Sequence, residues 1–91
     1  MDVSQLERFL RISTAGRFRA AARALGLSQA ALSFSIQQLE SELGGALFER
    51  SGSGTRPTAL GVALRPGAEL IVNQANRLRA DADVILGRGS P

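Results

Sequence analysis

Residues 18–43 read FRAAARALGLSQAALSFSIQQLESEL, and within them Ala22, Gly26 and Leu32 occur where two helices meeting at a sharp turn need a small, a turning and a buried residue. Gly26 follows an Ala-rich run and can take the left-handed conformation that ends a helix at little steric cost. Ser28 then offers an N-cap hydroxyl. Leu32, Ile36, Leu39 and Leu43 recur at spacings of four, three and four, so they mark the buried stripe of a second helix. The opposite side carries Gln29, Ala30, Ser33, Phe34 and Gln37, a face without charge whose amides and small groups suit base edges in a major groove.

The flanking sequence extends this helix-turn-helix reading. Val3, Leu6, Phe9, Leu10 and Ser13 fall on one face of a first helix over residues 2–14, with Asp2 near its start and Gly16 as terminator. The second helix is expected over 18–25 and the third over 29–43, stopping at Gly44-Gly45. Residues 46–50 and 55–58 are short extended segments around Ser51-Gly52-Ser53-Gly54, consistent with a two-stranded wing. Thr58 can cap a last helix in which Leu60, Leu64, Gly67, Ile71, Ala75, Leu78, Ala82 and Ile85 repeat at spacings of three and four. Pro66 lacks a backbone donor and is expected to bend that helix without ending it.

Ala20-Ala21-Ala22, Leu25, Leu27-Ser28-Gln29, Ala31-Leu32-Ser33, Ile36, Leu39-Glu40, Leu43-Gly44, Leu47-Phe48-Glu49-Arg50 and Thr58-x-x-Gly61 together resemble the amino-terminal domain of LysR-type transcriptional regulators, over about residues 1–86. The expected fold is therefore mainly α: a winged helix-turn-helix with a three-helix core and a two-stranded wing over 1–58, a long dimerisation linker helix over 59–86, and a hinge or cut end over 87–91. The resemblance implies sequence-specific binding of double-stranded DNA by a homodimer. Its linker helices would pair antiparallel through Leu60, Leu64, Ile71, Ala75, Leu78, Ala82 and Ile85 and hold two recognition helices against an interrupted palindrome. It further implies a possible tetramer in a full-length protein, and a small-molecule effector only through a carboxy-terminal domain beyond this chain. DNA binding itself calls for no cofactor.

Composition narrows the classes. Ninety-one residues suit one small domain, and a chain of this size buries only a little more than ~60% of its unfolded surface, so dimerisation would add needed stability. The chain has no cysteine and no histidine. Disulfides, thiolate or imidazole metal sites and Cys or His nucleophiles are thereby excluded, and an enzyme reading has no nucleophile with a base to rest on. No apolar run approaches the ~20 residues of a membrane span, and Met1 to Gln5 lack the basic region of a signal peptide, so the chain reads as cytoplasmic.

The net charge is only +3, yet its placement is uneven: Arg8, Arg11, Arg17, Arg19 and Arg23 occur with no acid between residues 8 and 23. Residues 1–65 hold eight Arg against five acids, and residues 66–91 hold three of each. The positive field therefore lies in the helix-turn-helix half, where it attracts phosphate. All eleven basic residues are Arg; a GC-rich coding bias and selection for phosphate binding both account for that.

Gln29 is the leading base-contact residue, because a side-chain amide can bond adenine N6 and N7 together, and the family uses the matching position for base contact. Ser33 and Gln37 follow it on the same face. Ala30 stands where relatives often have proline. Phe34 replaces a commonly polar or basic residue; it either packs on a thymine methyl or folds back on the wing or amino end. With no Arg or Lys between residues 29 and 39, sequence reading falls to amide and methyl contacts, with a bias towards A·T steps. Arg17 and Arg19 are expected to clamp phosphate, with Ser28 and Arg56 as further phosphate contacts. Arg50 either bonds phosphate or ties the wing to the third helix through Glu40 or Glu42. A rival reading is a winged-helix protein-interaction module that uses Phe34 and the uncharged face, which the basic run disfavours.

Overall fold

The computed structural model describes residues 1–52 and 54–88, so Ser53 of the expected wing tip and residues 89–91 of the expected hinge lie outside the described residues. The elements in chain order are α1 (Val3–Ala15), α2 (Phe18–Leu25), α3 (Gln29–Leu43), β1 (Phe48–Ser51), β2 (Gly54–Pro57) and α4 (Ala59–Ile85). This is the expected order of three helices, a two-stranded wing and a long last helix.

Local chemistry sets the helix ends. The Asp2 carboxylate accepts from Gln5 N–H at 2.9 Å while the Gln5 side chain accepts from Asp2 N–H at 3.1 Å, a capping box that starts α1. Ser28 Oγ accepts from Ala31 N–H at 3.0 Å at the start of α3, and Thr58 Oγ1 accepts from Gly61 N–H at 3.1 Å at the start of α4. Gly26 adopts φ 68° between α2 and α3. A side chain there would strain the turn that sets the angle of α3.

The core is one apolar cluster. Leu6, Phe9 and Ile12 of α1 meet Phe18, Ala21 and Ala22 of α2, Leu32, Ile36 and Leu39 of α3, and Leu47 with Phe48 at the wing base. Phe48 packs against Phe9 at 5.5 Å between ring centroids and edge-on against Phe18 at 5.9 Å. Such tilted pairs contribute beyond their buried area. Two expectations change here. Ile12, not Ser13, completes the buried face of α1; Ser13 is half-buried and its hydroxyl donates to the Phe9 carbonyl. Leu43 is 38% exposed rather than part of the buried stripe, because α3 ends there and outruns the elements packed on it.

The wing is antiparallel, with Glu49 opposite Arg56 and Arg50 opposite Thr55. β1 starts later than the expected residue 46 and β2 ends before the expected residue 58, because Leu47 turns into the core and Thr58 caps the next helix, while the strands reach one residue further towards the tip on each side, to Ser51 and Gly54. Glu40 of α3 caps the wing base, its Oε2 accepting from Leu47 N–H at 2.6 Å and Phe48 N–H at 3.4 Å. Thr55 N–H donates to the Gly16 carbonyl at 3.3 Å and anchors the second strand to the end of α1.

α4 runs unbroken through Pro66 and, at 27 residues, spans about 40 Å at 1.5 Å per residue, which accounts for most of the 48 Å long axis. Gly61, Ala68 and Val72 are buried against the core. Leu60 and Leu64, expected in the dimer seam, pack in part on the chain's own core, since the start of α4 lies across α1 and the wing base. Ile71, Leu78 and Ile85 remain outward at 44, 71 and 84% exposure, and Ala82 is exposed. Among the described residues no helix is long and apolar enough to cross a membrane.

Candidate nucleic-acid interface

α3 presents its outer face to solvent because its inner stripe is fully used: Leu32, Ile36 and Leu39 are at most 2% exposed. Gln29, Ala30, Phe34 and Gln37 are exposed on the other side, and Ser33 is half-buried. The buried Ser35 hydroxyl has a partner, accepting from Arg8 Nη1 at 2.8 Å, which cross-links α1 and α3 behind the face. The helix therefore sits on a rigid base.

A polar groove of 340 Å³ runs beside the amino end of α3, bounded by Arg17 and Arg19 at the start of α2, Gln29, and Arg50 with Thr55 of the wing. Arg17 is the N-cap of α2, in extended conformation and without a side-chain cap bond, so donors of that helix start are left for an incoming acceptor. Among the described residues Arg17, Arg19 and Arg56 form no ion pair, and all three are exposed. Ser28 is exposed at the start of α3, with its hydroxyl oxygen already accepting from Ala31 N–H.

Arg50 joins the wing to α3 through a partner other than the two expected. Its guanidinium carbon lies 3.4 Å from the Phe18 ring centroid, and its Nη2 donates to Ser33 Oγ at 2.5 Å. It does tie the wing to α3, but through Ser33; Glu40 is committed to the wing backbone, and Glu42 pairs with the amino terminus at 2.5 Å. Phe34 does not fold back on the wing or the amino end. It is 61% exposed and stands outside the set of hydrophobics packed on the core.

Residues 3–62 match the family described as bacterial regulatory helix-turn-helix protein, lysR family. The chain belongs to the LysR family. Two relatives named HTH-type transcriptional regulator HdfR, from Yersinia pestis and Yersinia pseudotuberculosis, are each 44% identical over 73 residues, covering 80% of this chain. The LysR-family chain spans 25% of the length of those relatives. Among solved structures, the DNA-binding domain of CbnR in complex with DNA is 35% identical with a TM-score of 0.86, covering 94% of this chain and 99% of that one. Oxidised OxyR of Corynebacterium glutamicum is 32% identical with a TM-score of 0.90, covering 94% of this chain and 26% of that one. The chain thus carries a LysR-type helix-turn-helix DNA-binding domain, with its wing inside the family match and 94% of its length inside the structural one.

Three connections escaped the sequence reading: Arg8 to Ser35, Arg50 to Ser33, and Glu40 to the wing backbone. All join residues separated by seven or more positions. For the first two only the spare charge of the arginines and the small polar residues on α3 could have signalled them.

Proposed function

We propose that this domain binds double-stranded DNA as a homodimer, lays α3 in the major groove of each half of an interrupted palindrome, and serves transcriptional control rather than catalysis. The observation that carries this reading is the combination of an exposed, uncharged α3 face with free arginines beside its amino end. Gln29 is placed to read adenine through its amide, with Ala30, Ser33, Phe34 and Gln37 along the same face. Arg17 and Arg19 sit where phosphates flank an inserted helix, and Arg56 projects from the wing. Arg50 and Ser33 serve mainly to hold wing and recognition helix in register. The DNA-binding domain of CbnR, solved in a DNA complex, shares this fold over 94% of the chain, which supports the reading.

α4 supports the dimer. Leu64, Ile71, Leu78 and Ile85 recur every seven residues, as do Gly61, Ala68, Ala75 and Ala82 three places earlier. The small stripe turns partly to the chain's own core, and the large one emerges progressively into solvent. Antiparallel pairing would set Ile71 against the partner's Leu78 and bring the partner's Ile85 to Leu64, beside an apolar recess of 180 Å³ lined by Met1, Leu43, Leu64, Gly67 and Ile71. Whatever effector or tetramer contacts a longer protein has would come from outside this chain. The experiment is retention of a random-sequence DNA library at increasing salt, followed by sequencing. An enriched inverted repeat with steep salt dependence is expected, whereas salt-insensitive retention without enrichment would turn the case to a protein-binding winged helix.

A further inference from the structure

We propose that Phe34 reads the 5-methyl group of a pyrimidine in the major groove, so that the domain distinguishes a methylated from an unmethylated pyrimidine at one position of each half-site. This rests on the reading that α3 enters the groove. Phe34 leaves 61% of its surface in water although it sits in the middle of a helix whose Leu32, Ile36 and Leu39 are buried. An exposed ring at the centre of a polar face gains most from an apolar partner. The thymine methyl is the apolar group that base pairs offer in that groove, and phenylalanine is among the side chains that pack on it.

The surroundings favour this occupant. Ala30 lies one turn before Phe34 on the same face, so the two make a short apolar ridge with Gln29 and Gln37 beside it. Between residues 29 and 39 there is no Arg or Lys to pull the helix towards phosphate or guanine. The exposed apolar residues of α4, from Val62 to Ile85, belong to another element, and the core aromatics Phe9, Phe18 and Phe48 are occupied with one another. Phe34 has no such partner among the described residues. Van der Waals contact with a methyl does not depend on what occupies position 4 of the ring, so 5-methylcytosine would satisfy it as thymine does.

The test uses the 91-residue chain and a duplex recovered from the random library, with thymines replaced by uracil one symmetric pair at a time. Losing one buried methyl weakens binding about fourfold, and losing the pair in both half-sites about fifteenfold. One thymine position is expected to show that loss. At the same position, a C·G pair should bind more tightly with 5-methylcytosine than with cytosine by a similar factor. Phe34→Ala should weaken binding to the thymine duplex and abolish both methyl effects while melting at the wild-type temperature, since this ring is outside the core. Uracil tolerated at every half-site position, or methyl effects unchanged in Phe34→Ala, would overturn the proposal while DNA binding stands. Failure to bind any duplex would overturn the DNA-binding reading and this inference with it.

Discussion

The Nη2 of Arg50 in β1 donates to the Ser33 hydroxyl of α3 at 2.5 Å while its guanidinium lies over the Phe18 ring, so one side chain joins the wing, the recognition helix and α2. A guanidinium suits both partners because it is planar and carries donors at its edge. Arg50→Ala is expected to cost about 1–2 kcal/mol of unfolding free energy, since it removes both the cation–π interaction and the charge-assisted hydrogen bond. Ser33→Ala should remove part of the same energy, so a double-mutant cycle by urea denaturation should show coupling. Additive effects would mean that the Arg50–Ser33 bond contributes nothing.

Arg17 and Arg19 stand at a helix start whose dipole repels them. In free protein, Arg17→Ala should raise stability slightly, by about 0.3–1 kcal/mol at low salt. On DNA the sign reverses. The double variant should reduce the slope of log K against log salt by about 0.9 for each phosphate no longer neutralised, or roughly 3.6 for the four phosphates that a dimer would engage through these arginines. Arg50→Ala, whose guanidinium is engaged within the protein, should leave that slope nearly unchanged. Anisotropy titrations at several salt concentrations separate the two classes, and equal slopes for all variants would reject the division.

Gly61 is where α4 crosses the wing base. A Cβ at this position would collide with the Leu47 backbone carbonyl, which cannot retreat while Thr58 N–H donates to it at 2.9 Å. Gly61→Ala should therefore destabilise the domain by about 1–3 kcal/mol, despite alanine's better helix propensity. Denaturation would show it directly; a neutral or stabilising effect would mean that the crossing is looser than described.

Leu78 is 71% exposed in the seven-residue stripe of α4. Leu78→Glu should leave the winged core folded and shift the chain from dimer to monomer in sedimentation equilibrium. Its melting temperature should also lose concentration dependence. A dimer that survives the change would place the interface elsewhere.

The helices were legible in the sequence because their signals are local. Ser28, Gly26 and Gly44 mark the ends of α2 and α3, and the bounds read from them coincide with those observed. Elsewhere the deciding contact is distant in sequence. Ser13 and Ile12 both lie near the apolar face of α1, and only packing against α2 and α3 selects Ile12. Leu47 looks like a strand residue until the core beneath the wing takes it. In α4 two heptad stripes are interleaved, the small one turned to the chain's own core at Gly61 and Ala68 and the large one outward from Ile71 onward, and spacing alone does not separate them. At the candidate interface the outward set Gln29, Ala30, Phe34 and Gln37 follows from helix geometry. The commitment of Ser33 to Arg50 does not, because it needs the wing folded back against α3.

The most direct measurement is the base preference recovered from a random DNA library by the wild-type chain and by Gln29→Ala. The account predicts an inverted repeat for the wild type, and for the variant a relaxed preference confined to one position per half-site, where discrimination falls by about 1–3 kcal/mol. Recovery of no repeat by the wild type, or an identical preference at every position for the two chains, would contradict the claim that α3 reads bases from its amino end.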